Sequence, residues 1–103
     1  MKLFALPLVL AALAVPGIAS ADEALAKKNN CLKCHAVDKK KDGPSFQETA
    51  KKYKGKADAE AKLVAFITKG GKIKVDGVEE DHAVVKSKDV GEATTLVKWI
   101  LSR

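Results

Sequence analysis

The chain has 103 residues with 19 basic and 13 acidic side chains, a net charge of +6, and two cysteines. That length allows one small domain. The lysines are spread along the chain and aromatic residues make up only 5% of it, which argues against a nucleic-acid binder; a mild positive field suits docking onto an acidic protein surface instead.

In chain order, Lys2 gives a positive start and Leu3 to Leu13 is an apolar run interrupted by Pro7. Pro16 and Gly17 end any helix, and Ala19-Ser20-Ala21 supplies a small-x-small cleavage pattern. Residues 1–21 therefore read as a secretory signal peptide, with an uncleaved anchor as the alternative. The run is too short to span a bilayer comfortably. The expectation is export to the periplasm by the Sec route, with no stable membrane insertion after cleavage. The mature domain is then 22–103, with 18 basic and 13 acidic side chains, a net charge of +5. A domain this small is marginal by itself and generally needs a disulfide, a metal or a cofactor as a staple.

Asp22-Glu23 opens a first helix with two acids at the positive end of its dipole. Ala24, Leu25, Lys28 and Leu32 continue it, and Asn29-Asn30 weakens its end. Lys39 to Gly43 is a charged loop. Ser45 and Glu48 form a capping-box pattern, predicting a helix from Phe46 to about Tyr53 that Gly55 stops. Asp58 is the expected N-cap of the next helix, with Leu63, Val64, Phe66 and Ile67 on or near one face and Gly70-Gly71 at its end. Lys72 to Lys86 is ambiguous between extended chain and loop. Val90, Ala93, Leu96, Val97, Ile100 and Leu101 then mark an amphipathic terminal helix. The fold class is all-α, with about four short helices.

Cys31-Leu32-Lys33-Cys34-His35 is the attachment pattern of a c-type haem. Two thiols three positions apart reach two vinyl groups on one porphyrin edge and form thioethers, and the following histidine is held beneath the iron as proximal ligand. Three other readings compete. A thioredoxin-like pair wants a βαβ context, and the surroundings here are helical. A zinc site from Cys31, Cys34, His35 and His82 would use adjacent ligands awkward for one tetrahedral ion. A disulfide across so short a loop would constrain little of the unfolded chain. Export, short length and helical context all favour the haem.

With these residues the chain resembles the small bacterial class I cytochromes c of the periplasm, from about Asp22 to Arg103. The resemblance rests on the helix before Cys31, Cys-x-x-Cys-His-Ala at 31–36, Gly43-Pro44, the middle helix near Leu63, and Leu96-Val97-Lys98-Trp99-Ile100-Leu101. It implies the cytochrome c fold around one covalent haem, with Leu25, Leu96, Trp99 and Ile100 in the core where first and last helices cross. It also implies that the Pro44 carbonyl accepts from Nδ1 of His35, fixing its ring and tautomer. A plain turn proline in Asp-Gly-Pro is the alternative.

The chain departs from this family at the second axial ligand. The family uses a methionine before the last helix, but the one methionine here is Met1, inside the signal peptide. His82 falls within a residue or two of that position and is the only histidine besides His35. It is the favoured distal ligand. The alternatives are a solvated loop histidine beside Glu79, Glu80 and Asp81, or ligation by Lys86 or Lys88.

Two functions follow. The first is single-electron transfer between periplasmic redox partners, with bis-histidine ligation and a lowered potential. Lys33, Lys39, Lys40 and Lys41 would steer an acidic partner protein, and the carrier is expected to be a monomer. The second is binding or sensing of a small ligand such as nitric oxide, carbon monoxide or oxygen at an open or labile distal site. No arrangement of catalytic residues supports an independent enzyme.

Overall fold

The computed structural model describes residues 18–103. The expected signal peptide therefore lies almost wholly outside the described residues. The elements are α1 (Ile18–Lys28), a 3₁₀ turn (Cys31–Lys33), α2 (Phe46–Tyr53), α3 (Ala59–Lys69), β1 (Lys72–Val75), β2 (Val78–Asp81) and α4 (Val90–Leu101). The helix α1 begins four residues before Asp22, so the Asp22-Glu23 pair lies inside it rather than in its first turn.

Local chemistry explains most boundaries. Asn30 takes a left-handed conformation (φ 59°) and ends α1. Ser45 Oγ accepts the Glu48 N–H at 3.0 Å and starts α2. Gly70, at φ 83°, terminates α3. Asp58 occupies the N-cap position of α3 but does not cap it. Its backbone is already helical (φ −93°, ψ 0°), and its carboxylate instead pairs with Lys62 at 2.9 Å. Asp89 caps α4, accepting the Gly91 N–H at 2.8 Å.

The ambiguous stretch is an antiparallel hairpin, with Lys72 opposite Asp81 and Lys74 opposite Glu79. Asp76 (φ 50°) and Gly77 (φ 80°) are both left-handed, the requirement of a type I′ turn that matches strand twist. The Lys72–Asp81 ion pair closes its open end at 2.7 Å. The fold is thus mostly helical, with one small sheet added to the expected helices.

The last helix organises the core by packing against α1, α2 and α3. Its buried face is Ala93, Leu96, Val97 and Trp99. Leu96 and Val97 are fully buried, each worth about 1.5–3 kcal/mol of apolar burial. Ala26 and Phe46 complete the central cluster, with Leu25, Ile67 and Ile100 half-buried against it. Val90, periodic with this face in sequence, is the first residue of the helix and is 60% exposed.

Candidate haem-binding site

The attachment motif follows α1 after a one-residue left-handed step at Asn30. The 3₁₀ turn then coils tightly, with the N–H groups of Cys34 and His35 both donating to the Cys31 carbonyl, at 3.2 and 2.9 Å. Both thiols are free; Cys34 is exposed and Cys31 half-buried. Desolvation pushes the Cys31 thiol up from its usual value, opposed by a backbone hydrogen bond and reinforced by neighbouring Cys34. Cys31 is therefore a neutral thiol at neutral pH, and Cys34 is the more accessible of the two.

The loop after His35 returns to the motif. Gly43 N–H donates to the Cys34 carbonyl at 2.7 Å, and the Lys41 ammonium donates to the Leu32 carbonyl at 2.8 Å. This brings the Pro44 carbonyl to 2.7 Å from Nδ1 of His35. Phe46, the first residue of α2, stacks on the imidazole at 5.4 Å and 22°. Gly43 is required by this closeness, since a Cβ there would lie 2.8 Å from Nδ1 and 2.9 Å from Nε2 of His35.

His82 follows β2 directly. Its N–H donates to the Gly71 carbonyl at 2.8 Å. Its Nδ1 lies 2.7 Å from the Ala83 carbonyl, and its ring packs on Phe66 at 4.7 Å. His82 is half-buried against this ring, unlike a freely solvated loop histidine, whereas Lys86 and Lys88 are exposed. Each histidine thus has Nδ1 at a carbonyl, which leaves Nε2 as the nitrogen free to ligate. The two ring centroids are 6.1 Å apart.

Both rings line a cleft of about 1000 Å³, with Cys31, Cys34, Leu63 and Phe66 among its other walls. Its size is at the upper end of cofactor pockets, roughly 300–1,000 Å³. The ring spacing also fits. With metal–imidazole bonds of about 2.0 Å, two rings this close would both be able to reach a single ion. The residues present therefore suit a haem. Among the described residues, no three or more His, Cys, Asp or Glu side chains converge on a metal site, which leaves the four-ligand zinc reading without geometric support.

Three supporting residues were not legible as such in the sequence. In sequence Phe46 marks only the start of a helix, Phe66 is one of four residues on or near a helix face, and Asn29-Asn30 only weakens a helix end. Asn29 is only 8% exposed and accepts the Lys86 N–H at 2.8 Å across 57 positions of sequence. Nothing in local sequence announces a bond of that span.

Comparison with known proteins agrees with the geometry. The family model described as cytochrome c matches residues 21–103. A cytochrome c2 from Rhodocyclus tenuis is 48% identical over 89 residues, covering 80% of this chain and 92% of the relative. A cytochrome c-551 from Pseudomonas aeruginosa is 42% identical over 81 residues, covering 79% and 75% respectively. Among solved structures, the class 1 cytochrome MtoD from Sideroxydans lithotrophicus ES-1 superposes with a TM-score of 0.78 at 52% identity, covering 82% of this chain and 95% of that one. Family members carry one covalently attached haem c, and Cys31 and Cys34 fit its attachment motif. The chain therefore belongs to the cytochrome c family, among its small class I bacterial members.

Proposed function

We propose that this chain is a periplasmic single-electron carrier whose haem iron is held between His35 and His82, at a lower potential than in a His/Met relative. The observation that carries the reading is the 6.1 Å spacing of the two imidazoles in the cleft. The composition supports it, because Met1 is the only methionine and would be lost with residues 1–21.

When bound, the haem supplies the one-electron couple. The chain's own residues set its conditions. Cys31 and Cys34 tether the group covalently. The Pro44 and Ala83 carbonyls each accept from an Nδ1–H, which raises the basicity of the ligating nitrogen. Imidazole is a better donor than a thioether and favours the oxidised iron, whereas a His/Met pair raises the potential. With both imidazoles holding the haem, no position would be left for a small ligand while His82 stays in place, which would suit electron transfer over ligand capture.

Around the attachment motif, Lys33, Lys39, Lys40 and Lys41 are exposed. Their like charge would attract an acidic redox partner and speed its encounter. Export through the signal peptide 1–21 places this exchange in the periplasm. Among the described residues, no helix is long and apolar enough to cross a membrane.

The test is potentiometric. His82→Met converts the second ligand to a thioether, and the wild-type midpoint potential is expected to lie below that of this variant under matched conditions. An equal or higher wild-type value contradicts the proposed ligation.

A further inference from the structure

The segment carrying His82 is docked at three points. The His82 N–H donates to the Gly71 carbonyl at 2.8 Å, and the Val85 N–H donates to the Ile67 carbonyl at 2.9 Å. These two fix the segment to the C-terminal end of α3 and the start of the hairpin. The third point is different in kind. The Lys86 N–H donates to Oδ1 of Asn29 at 2.8 Å, a side chain lining the same cleft two residues before Cys31.

Asn29 is built for this contact. It sits at the C-terminal end of α1, where an asparagine ordinarily faces water, yet it is 8% exposed. Its Nδ2 donates to the Leu25 carbonyl at 2.9 Å, which fixes which way the amide faces. Its Oδ1 is thereby turned to Lys86. Both polar ends of a buried group are satisfied, and the loss of one partner would leave the other unpaired and desolvated.

We propose that Asn29 is a positioning residue that clasps the distal segment to the attachment helix and so sets how readily His82 leaves its station. This rests on the reading of His82 as the distal ligand. The clasp joins the two halves of the site. One end is fixed to the helix that leads into Cys31, and the other lies four residues beyond His82. Lifting the whole distal segment to release His82 breaks this bond together with the Val85–Ile67 bond that precedes it.

The test is cyanide binding to the ferric holoprotein by stopped flow, since cyanide can bind only after His82 departs. The rate at saturating cyanide then reports that departure. Asn29→Leu removes the acceptor and keeps the volume. It is expected to raise the limiting rate roughly five- to tenfold, the scale of one net buried hydrogen bond. Lys86→Pro removes the same N–H from the other side and should act in the same direction even if Asn29→Leu fails to fold. Lys86→Ala retains the N–H and should leave the rate unchanged.

The same variants in a His82→Ala background separate the outcomes. There the clasp has nothing to restrain, so Asn29→Leu should have no effect on cyanide binding. An unchanged rate in the His82 background overturns the proposal. So does equal acceleration in both backgrounds, which would assign Asn29 to general integrity of the cleft. If the wild type binds cyanide as His82→Ala does, with no limiting step, the distal-ligand reading itself fails and takes the inference with it.

Discussion

The imidazole of His35 lies face to face with Phe46, centroids 5.4 Å apart at 22°. Phe46 in turn meets Trp99 edge-on at 5.4 Å and 73°. His35 is thereby tied through two aromatic rings to the buried face of α4. Fold stability and ligand orientation share these contacts, because the ring that holds His35 is also a central core residue, 3% exposed.

Phe46→Ala should cost both. Truncating a buried phenylalanine removes about 3–5 kcal/mol, read as a lowered urea midpoint of the holoprotein. The ferric spectrum should also broaden as His35 loses its stacking partner. Normal stability would show that the Phe46 ring is not a core contact.

Gly43→Ala should disturb the same histidine from its other side. The added Cβ would fall within 3 Å of the ring nitrogens, so either the loop or the imidazole must move. Overpacking of this kind costs about 1–3 kcal/mol. The His35–Pro44 hydrogen bond should lengthen, with a reduced downfield shift of the Nδ1 proton by NMR. An unchanged shift would mean that the loop yields without cost.

The Asp58–Lys62 pair gives a pH signature. The Lys62 ammonium, hydrogen-bonded to it, holds the Asp58 carboxyl below its usual value, with a backbone hydrogen bond contributing next. A carboxyl depressed on folding stabilises above its unfolded pKa, and that stability is lost as pH falls through the folded value. The same bond raises Lys62, whose share is lost only as pH rises through its raised value. Both groups are fully exposed, so the effect is small. The stability difference between wild type and Asp58→Asn should vanish as pH falls from about 5 to about 2. A difference that persists in acid would trace to the α3 terminus rather than to the ion pair.

Exposed Lys39, Lys40 and Lys41 should make electron exchange with an acidic partner salt-dependent. The screening length shortens from about 10 Å at 0.1 M to about 3 Å at 1 M, so the second-order rate should fall steeply over that range. Replacing the three by glutamine should lower the low-salt rate and flatten the dependence. A rate indifferent to salt would locate docking elsewhere.

Much of this site is short-range, and that part was legible. Cys31, Cys34 and His35 are fixed by adjacency. The boundaries of α2, α3 and α4 follow from Ser45, Gly70 and the spacing of Ala93, Leu96 and Val97. Residues 72–86 admit both strand and loop in sequence, yet Asp76-Gly77 between Val75 and Val78 is a strong type I′ pattern. Asp58 shows the reverse: a good capping residue whose side chain pairs with Lys62 instead. The Asn29–Lys86 bond and the stacking of Phe46 on His35 depend on how distant segments meet, and local sequence does not encode that.

The most direct measurement is the visible and EPR spectrum of the purified holoprotein, ferric and ferrous, beside His82→Ala. Ligation by both histidines predicts a low-spin ferric wild type that becomes high-spin in the variant. A high-spin wild type, unchanged by the substitution, would contradict ligation by His82 and leave an iron open to small molecules.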